Sequence, residues 1–273
     1  MKINLIIYIA LLLPTLTFAQ MKFKSVGTPK PIEFTFGFQH QKGAFVWYKG
    51  KNVPIPLKLK ALDIDSTERE SGQPDFYSYK YTEMYNGKAT GEYGITEWPR
   101  NVADIYYIRY KDGKKFKFEL IDEKETYDGK DMALLHGVQI HYYVFYEDNL
   151  AFVYADGSKT KQLLSTINKD DARHINIEDY NFDGINDISF STSIYNGVEV
   201  VEDIKEIFIY NTATKKFNKL QKATSTKGVS FGDLKLNKPH KQIVAKCKVG
   251  NKWLTYTYKF DELGKLIAVK QAD

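Results

Sequence analysis

A chain of 273 residues, 43% hydrophobic and 27% charged, is long enough for one large or two ordinary domains, and this composition excludes both a disordered chain and a bundle of membrane spans. Its one cysteine, Cys247, excludes an intramolecular disulfide, a cysteine-built zinc cage and a CxxC redox site. The formal charge of +5 is dispersed as lysine pairs (Lys58 and Lys60, Lys114 and Lys115, Lys215 and Lys216) among acidic residues, not gathered into the basic face that nucleic-acid binding needs.

Residues 1–19 hold the long apolar stretch. Lys2 supplies a positive start, Leu5 to Leu13 an apolar run, and Thr17-Phe18-Ala19 the small residues of a cleavage site before Gln20. This is the pattern of a cleavable secretory signal, and the run is short for crossing about 30 Å of hydrocarbon. No cysteine follows it to accept a lipid. A secreted or periplasmic bacterial protein is therefore expected, with a linker over 20–32, where Gly27, Pro29 and Pro31 fall.

From residue 33 to 273 one all-β domain is expected, with a possible subdivision near 165. The 20 Tyr and 17 Phe favour pleated, half-buried surfaces. Phe34, Phe36 and Phe38 repeat with period two, as one strand face does. Ile105 to Tyr110 meets Asp112-Gly113 and resumes as Phe116, Phe118 and Leu120, a hairpin signal. The same grammar recurs at Tyr142 to Tyr146, at Asp156-Gly157, at Ile207 to Tyr210 and around Leu263-Gly264. No long 3.6-residue apolar stripe appears; Lys161 to Lys169 reads as a short helix or as a strand end. The charged stretch Asp63–Pro74 reads as a loop. Antiparallel hairpins at this spacing predict a propeller-like, barrel or sandwich architecture.

One motif carries chemistry. Residues 179–187 read Asp-Tyr-Asn-Phe-Asp-Gly-Ile-Asn-Asp, the spacing of a calcium loop. Asp179, Asn181 and Asp183 would supply side-chain oxygens at loop positions 1, 3 and 5, and Gly184 the positive φ that turns the chain back. Ile185 would give its backbone carbonyl, and Asp187 would bind directly or through water. Position 12 is Phe190, so the bidentate glutamate of an EF-hand is absent, and the flanks alternate like strands. A strand–loop–strand site for structural Ca2+ is expected.

Other constellations are weaker. His40, His136, His141, His174 and His240 are scattered. Asp63, Asp65, Glu68 and Glu70 are candidates for carboxylate-pair chemistry on a glycan, with aromatics as sugar platforms. Trp98-Pro99 and Tyr79, Tyr81, Tyr85 and Tyr93 form either a binding patch or strand packing, the latter favoured.

Three segments, IEDYNFDGINDISF, IFIYNTATKKF and KCKVGNKWLTYTYKFDELGKL, occur in an order that resembles a secreted bacterial family of calcium-binding immunity proteins, similar to periplasmic lysozyme inhibitors. The resemblance covers roughly residues 140–273. It implies an all-β, propeller-like fold with bound calcium and a role in blocking a lysozyme-like peptidoglycan hydrolase. Together with the absence of a catalytic motif this leads to the expectation of a binding protein without enzymatic activity, and a monomer is expected. The alternative is a calcium-dependent glycan-acting enzyme, or a structural or adhesion protein of the envelope.

Overall fold

The computed structural model describes residues 20–38, 42–67, 75–98, 101–121, 129–169, 171–195, 200–221, 231–249, 252–262 and 264–272. The segment expected to be a secretory signal lies outside them. Among the described residues the regular structure is all strand apart from one 3-10 turn at Lys238–His240, and no helix is long and apolar enough to cross a membrane. Two compact units divide between residues 122 and 123, not near 165.

The first unit is a closed barrel of eight antiparallel strands in sequence order. These are β1 (Gln20–Ser25), β2 (Glu33–Gly37), β3 (Phe45–Tyr48), β4 (Ile55–Asp65), β5 (Phe76–Tyr85), β6 (Lys88–Trp98), β7 (Asn101–Arg109) and β8 (Lys115–Leu120). Closure comes from β1 beside β8, with Phe23 opposite Leu120 and Ser25 opposite Phe118. The segment expected to be a linker thus supplies the closing strand: Met21, Phe23 and Ser25 are buried, and Gly27 and the two prolines only shape the turn into β2. The expected loop at Asp63–Pro74 is likewise shorter, because β4 runs on to Asp65 paired with Phe76.

Alternation decides which side chains fill the barrel. Phe23, Phe34, Phe36, Tyr81, Tyr93, Phe116 and Phe118 point into one core, while Lys22, Lys24, Lys115 and Glu119 stay exposed. Phe34 sits among four rings, its closest neighbour being Phe118 at 4.8 Å in an edge-on arrangement. Edge-to-face pairs of this kind add about 0.5–1.5 kcal/mol beyond burial of their area. Tyr79, Tyr81 and Tyr93 belong to this core, so the packing reading of these tyrosines holds; Tyr85 is exposed.

The second unit has two sheets. A four-stranded meander contains β9 (Lys130–Leu135), β10 (Val138–Tyr143), β11 (Asn149–Val153) and β12 (Lys159–Leu163). Chain 161–169 is therefore a strand end, not a helix. The larger, curled sheet runs β13 (Arg173–Glu178), β14 (Asp187–Tyr195), β15 (Val200–Asn211), β17 (Phe231–Asn237), β18 (Gln242–Val249), β19 (Lys252–Phe260) and β20 (Leu266–Ala272), with β16 (Lys216–Lys219) on β15.

Each face of the larger sheet builds a core. Ile188, Phe190, Phe208 and Tyr210 pack with Ile140, Tyr142 and Phe152 of the meander. Ile207, one residue out of phase with Phe208, faces Phe231, Ile243 and Tyr258, and Ile204 joins it because the β14–β15 register shifts at Phe190/Ser191. A buried arginine closes one end of the first core. Arg173 donates to the carbonyls of Tyr143, Glu147 and Ser165 and to Asp148 Oδ1, all at 2.8–3.0 Å.

Candidate metal centre

Strands β13 and β14 pair with Glu178 opposite Asp187, so the segment between them leaves and re-enters the sheet at adjacent points. Eight residues must reverse direction within that span. Gly184 turns the chain at φ +88°, and Phe182 also adopts a left-handed φ of +63°. A non-glycine residue there costs about 1 kcal/mol or more. The half-buried Phe182 ring packs on the second core and offsets that cost.

The side-chain oxygens organise the loop from inside. Asp179 Oδ1 accepts the N–H of Asp183 at 3.1 Å, and its Oδ2 that of Gly184 at 2.9 Å. Asn181 Oδ1 also accepts the Asp183 N–H, at 3.2 Å, and the Asn181 amide donates to Asp183 Oδ2 at 2.9 Å. Asp183 Oδ1 accepts the N–H of Ile185 at 2.8 Å, and the Ile185 side chain packs on the first core. Asp179, Asn181 and Asp183 are thus joined in one hydrogen-bonded turn.

Asp187 occupies a different position. It is completely enclosed; Oδ2 accepts the N–H of Tyr180 at 2.9 Å and Oδ1 that of Tyr210 at 2.8 Å. Burial pushes its pKa up to about 7, and the nearby Asp183 and Asp179 carboxylates push the same way, against the pull of the two N–H donors. The spacing expects Asp187 as a direct or water-mediated ligand. In the structure its two oxygens tie the start of the loop to β14 and β15.

The donor set fits a hard cation in its chemistry: it is all oxygen, without nitrogen or sulfur. An ionised carboxylate has about four acceptor sites, so Asp179 and Asp183 keep lone pairs beyond those taken by N–H groups. Among the described residues no group of three His, Cys, Asp or Glu side chains stands ready to hold a metal. Any ion here draws on Asn181 and on backbone oxygen as well as on carboxylates.

Two residues that the sequence reading did not connect to the loop also brace it. His136, in the turn between β9 and β10, has Nε2 at 2.6 Å from the Asn186 carbonyl, and its ring stacks on Tyr210 at 4.2 Å. The Tyr180 hydroxyl lies 2.7 Å from Ser189 Oγ. A lone histidine fifty residues upstream gives no local signal of either contact.

The remaining candidates do not converge. His141 and His174 are half-buried and His240 is exposed; burial, with Lys159 nearby, lowers the basicity of His141. Asp63 and Asp65 lie exposed on β4, where Asp65 Oδ1 accepts the Thr67 N–H and hydroxyl. Glu68, Glu70, His40 and Pro99 lie outside the described residues. No protein-family model and no curated protein matches this chain.

Proposed function

We propose that this chain is a secreted or periplasmic binding protein, stabilised by calcium in loop 179–187, that occludes a lysozyme-like peptidoglycan hydrolase and performs no chemistry of its own. The observation that carries the calcium part is the inward turn of Asp179, Asn181 and Asp183, whose oxygens already gather the loop's own N–H groups. The carboxylates of Asp179, Asp183 and Asp187 in one short loop repel one another unless a cation offsets them. When bound, the ion would supply that neutralisation. Asp179, Asn181 and Asp183 would hold it, while Asp187 keeps the loop seated on β15.

The partner class rests on the likeness of residues 140–273 to calcium-binding immunity proteins. Two experiments separate the parts. Calorimetric titration of the chelator-treated protein with calcium is expected to show one site, lost in Asp183→Ala; absence of heat in the wild type overturns the ion. Turbidity assays of peptidoglycan lysis are expected to show inhibition of a lysozyme-like hydrolase by the monomeric protein. Unimpaired lysis together with no binding to such hydrolases overturns the partner.

A further inference from the structure

We infer that His136 is a positioning residue for the cation loop, a latch through which occupancy of residues 179–187 and the order of the β9–β10 hairpin depend on each other. The inference rests on the calcium reading of the loop and assigns a part to a residue outside it.

Three contacts form a continuous path. A backbone carbonyl only accepts, so the 2.6 Å contact to Asn186 requires that His136 Nε2 carry the hydrogen. Asn186 is the residue next to Asp187. The His136 ring lies against Tyr210 at 4.2 Å, with planes 28° apart, and the N–H of that same Tyr210 is held by Asp187 Oδ1 at 2.8 Å. One side chain thus grips the returning arm of the loop directly and steadies the residue that anchors its last carboxylate.

The latch comes from a different sheet. His136 belongs to the meander, whereas the loop and Tyr210 belong to the larger sheet. Its own backbone has a left-handed φ of +53°, followed by Gly137 at +76°, the pair of positive φ values of a tight two-residue hairpin turn. β9 and β10 pair from Leu135 and Val138 outward, so this turn has no slack, and it presents the exposed ring at a set position. A brace of this kind acts like the outer partners that orient metal ligands, whose loss costs about 10–100-fold in metal affinity. Because binding couplings are reciprocal, a cation in the loop also steadies the hairpin.

The test compares wild type, His136→Ala, His136→Gln and His136→Phe, each checked by circular dichroism for native strand content. Gln keeps a donor without the ring; Phe keeps the ring without a donor. Calcium affinity is measured by calorimetry, and the loop is probed independently by tyrosine-sensitised terbium luminescence. The expected result is about a tenfold or larger loss of calcium affinity in His136→Ala, with partial recovery in Gln and Phe. Calcium should also slow amide exchange at Leu135 and Val138 in wild type and not in His136→Ala. Unchanged affinity in a folded His136→Ala overturns the latch and leaves the calcium reading standing. No binding of calcium or terbium by wild type overturns both.

Discussion

Tyr48 donates its hydroxyl hydrogen to Glu83 Oε2 at 2.9 Å inside the aromatic barrel. That single hydrogen being committed, the 2.6 Å contact between Tyr48 and Tyr93 must be donated by Tyr93. The other Glu83 oxygen accepts from the Tyr107 hydroxyl at 2.8 Å and from Thr90 Oγ1 at 2.6 Å. A carboxyl group 4% exposed is costly to bury alone; here three hydroxyls converge on it.

Removing that acceptor should be severe. Glu83→Ala leaves the Tyr48 hydroxyl without this acceptor and reduces Tyr107 and Thr90 Oγ1 to their longer contacts with the Thr90 and residue 83 carbonyls at 3.2 and 3.4 Å. A stranded buried donor costs about 1–3 kcal/mol, and the vacated side-chain volume adds to it. A loss of about 3 kcal/mol or more is expected in urea unfolding. Glu83→Gln retains one acceptor oxygen and should lose less. Equal, small losses in both would show that the hydroxyls find other partners.

The same phenols set the alkaline limit of the barrel. Burial, with the nearby Glu83, raises the ionisation of Tyr48 and Tyr107 well above the usual phenol range; burial, followed by Tyr48, does the same for Tyr93. For an acid whose folded ionisation is raised, stability is full below the unfolded value near about 10 and falls as pH climbs past it. Ultraviolet titration should therefore show these phenolates appearing only with unfolding. Their smooth ionisation in a still-folded barrel would contradict this.

Gly91 and Gly94 on β6 should differ in their tolerance of a methyl group. A Cβ at Gly91 would stand 2.2 Å from the Tyr107 ring, and one at Gly94 2.2 Å from the Tyr106 ring. Tyr107 is buried and tied to Glu83, so Gly91→Ala should show an overpacking loss of about 1–3 kcal/mol. Tyr106 is half-buried on the outer face and can swing towards water, so Gly94→Ala should cost less. The reverse order in chemical denaturation would refute the assignment of faces.

The contrast between local and distant information explains what could be read from residues alone. The Phe34–Phe38 alternation is strand β2, and Asp112-Gly113 is the β7–β8 turn with Gly113 at φ +67°. Asp156-Gly157 likewise turns β11 into β12, with the Ser158 N–H on Asp156 Oδ1. These are contacts between neighbours in sequence. Barrel closure pairs Phe23 with Leu120, a partner that no local pattern names, and the prolines that follow β1 mask its own alternation. Glu83 and Arg173 are hidden from a sequence pattern because a charged residue in a strand reads as solvent-facing. The signal was nonetheless present, since Glu83 shares the phase of Tyr79 and Tyr81. In the candidate site, Asp179 to Gly184 are the residues that spacing singles out, whereas Tyr210 comes from β15 and His136 from the β9–β10 turn.

Arg173 offers a test of that hidden charge. Its side chain is only 2% exposed, and it gives its donors to three backbone carbonyls and Asp148. Arg173→Met keeps the length but strands those acceptors and the buried side of Asp148. Breaking a buried pair in this way costs about 3–5 kcal/mol. Thermal unfolding of the variant should fall sharply, and amide exchange should quicken first at Val144 and Leu164, whose N–H groups bond to Gly129 and Asp148 beside the clamp.

The acidity of Asp187 gives calcium binding a pH signature. Without the ion, this carboxyl ionises near 7 in the folded chain and near about 3.9 in the unfolded one. Between those values the folded state holds the extra proton, so the stability that Asp187 contributes is full below about pH 4 and declines as pH rises towards 7. A shift of about three units corresponds to at most about 4 kcal/mol. A cation beside Asp179 and Asp183 favours the ionised form and opposes that decline. At the ~0.1–1 mM affinity of extracellular calcium modules, about 1 mM calcium adds about 0.4–1.4 kcal/mol near neutrality. The increase in melting temperature on adding calcium should therefore be larger at pH 7.5 than at pH 5, and Asp187→Asn should flatten the ion-free slope between pH 4 and 7. An increment independent of pH, with the slope intact in Asp187→Asn, would place the titrating group elsewhere.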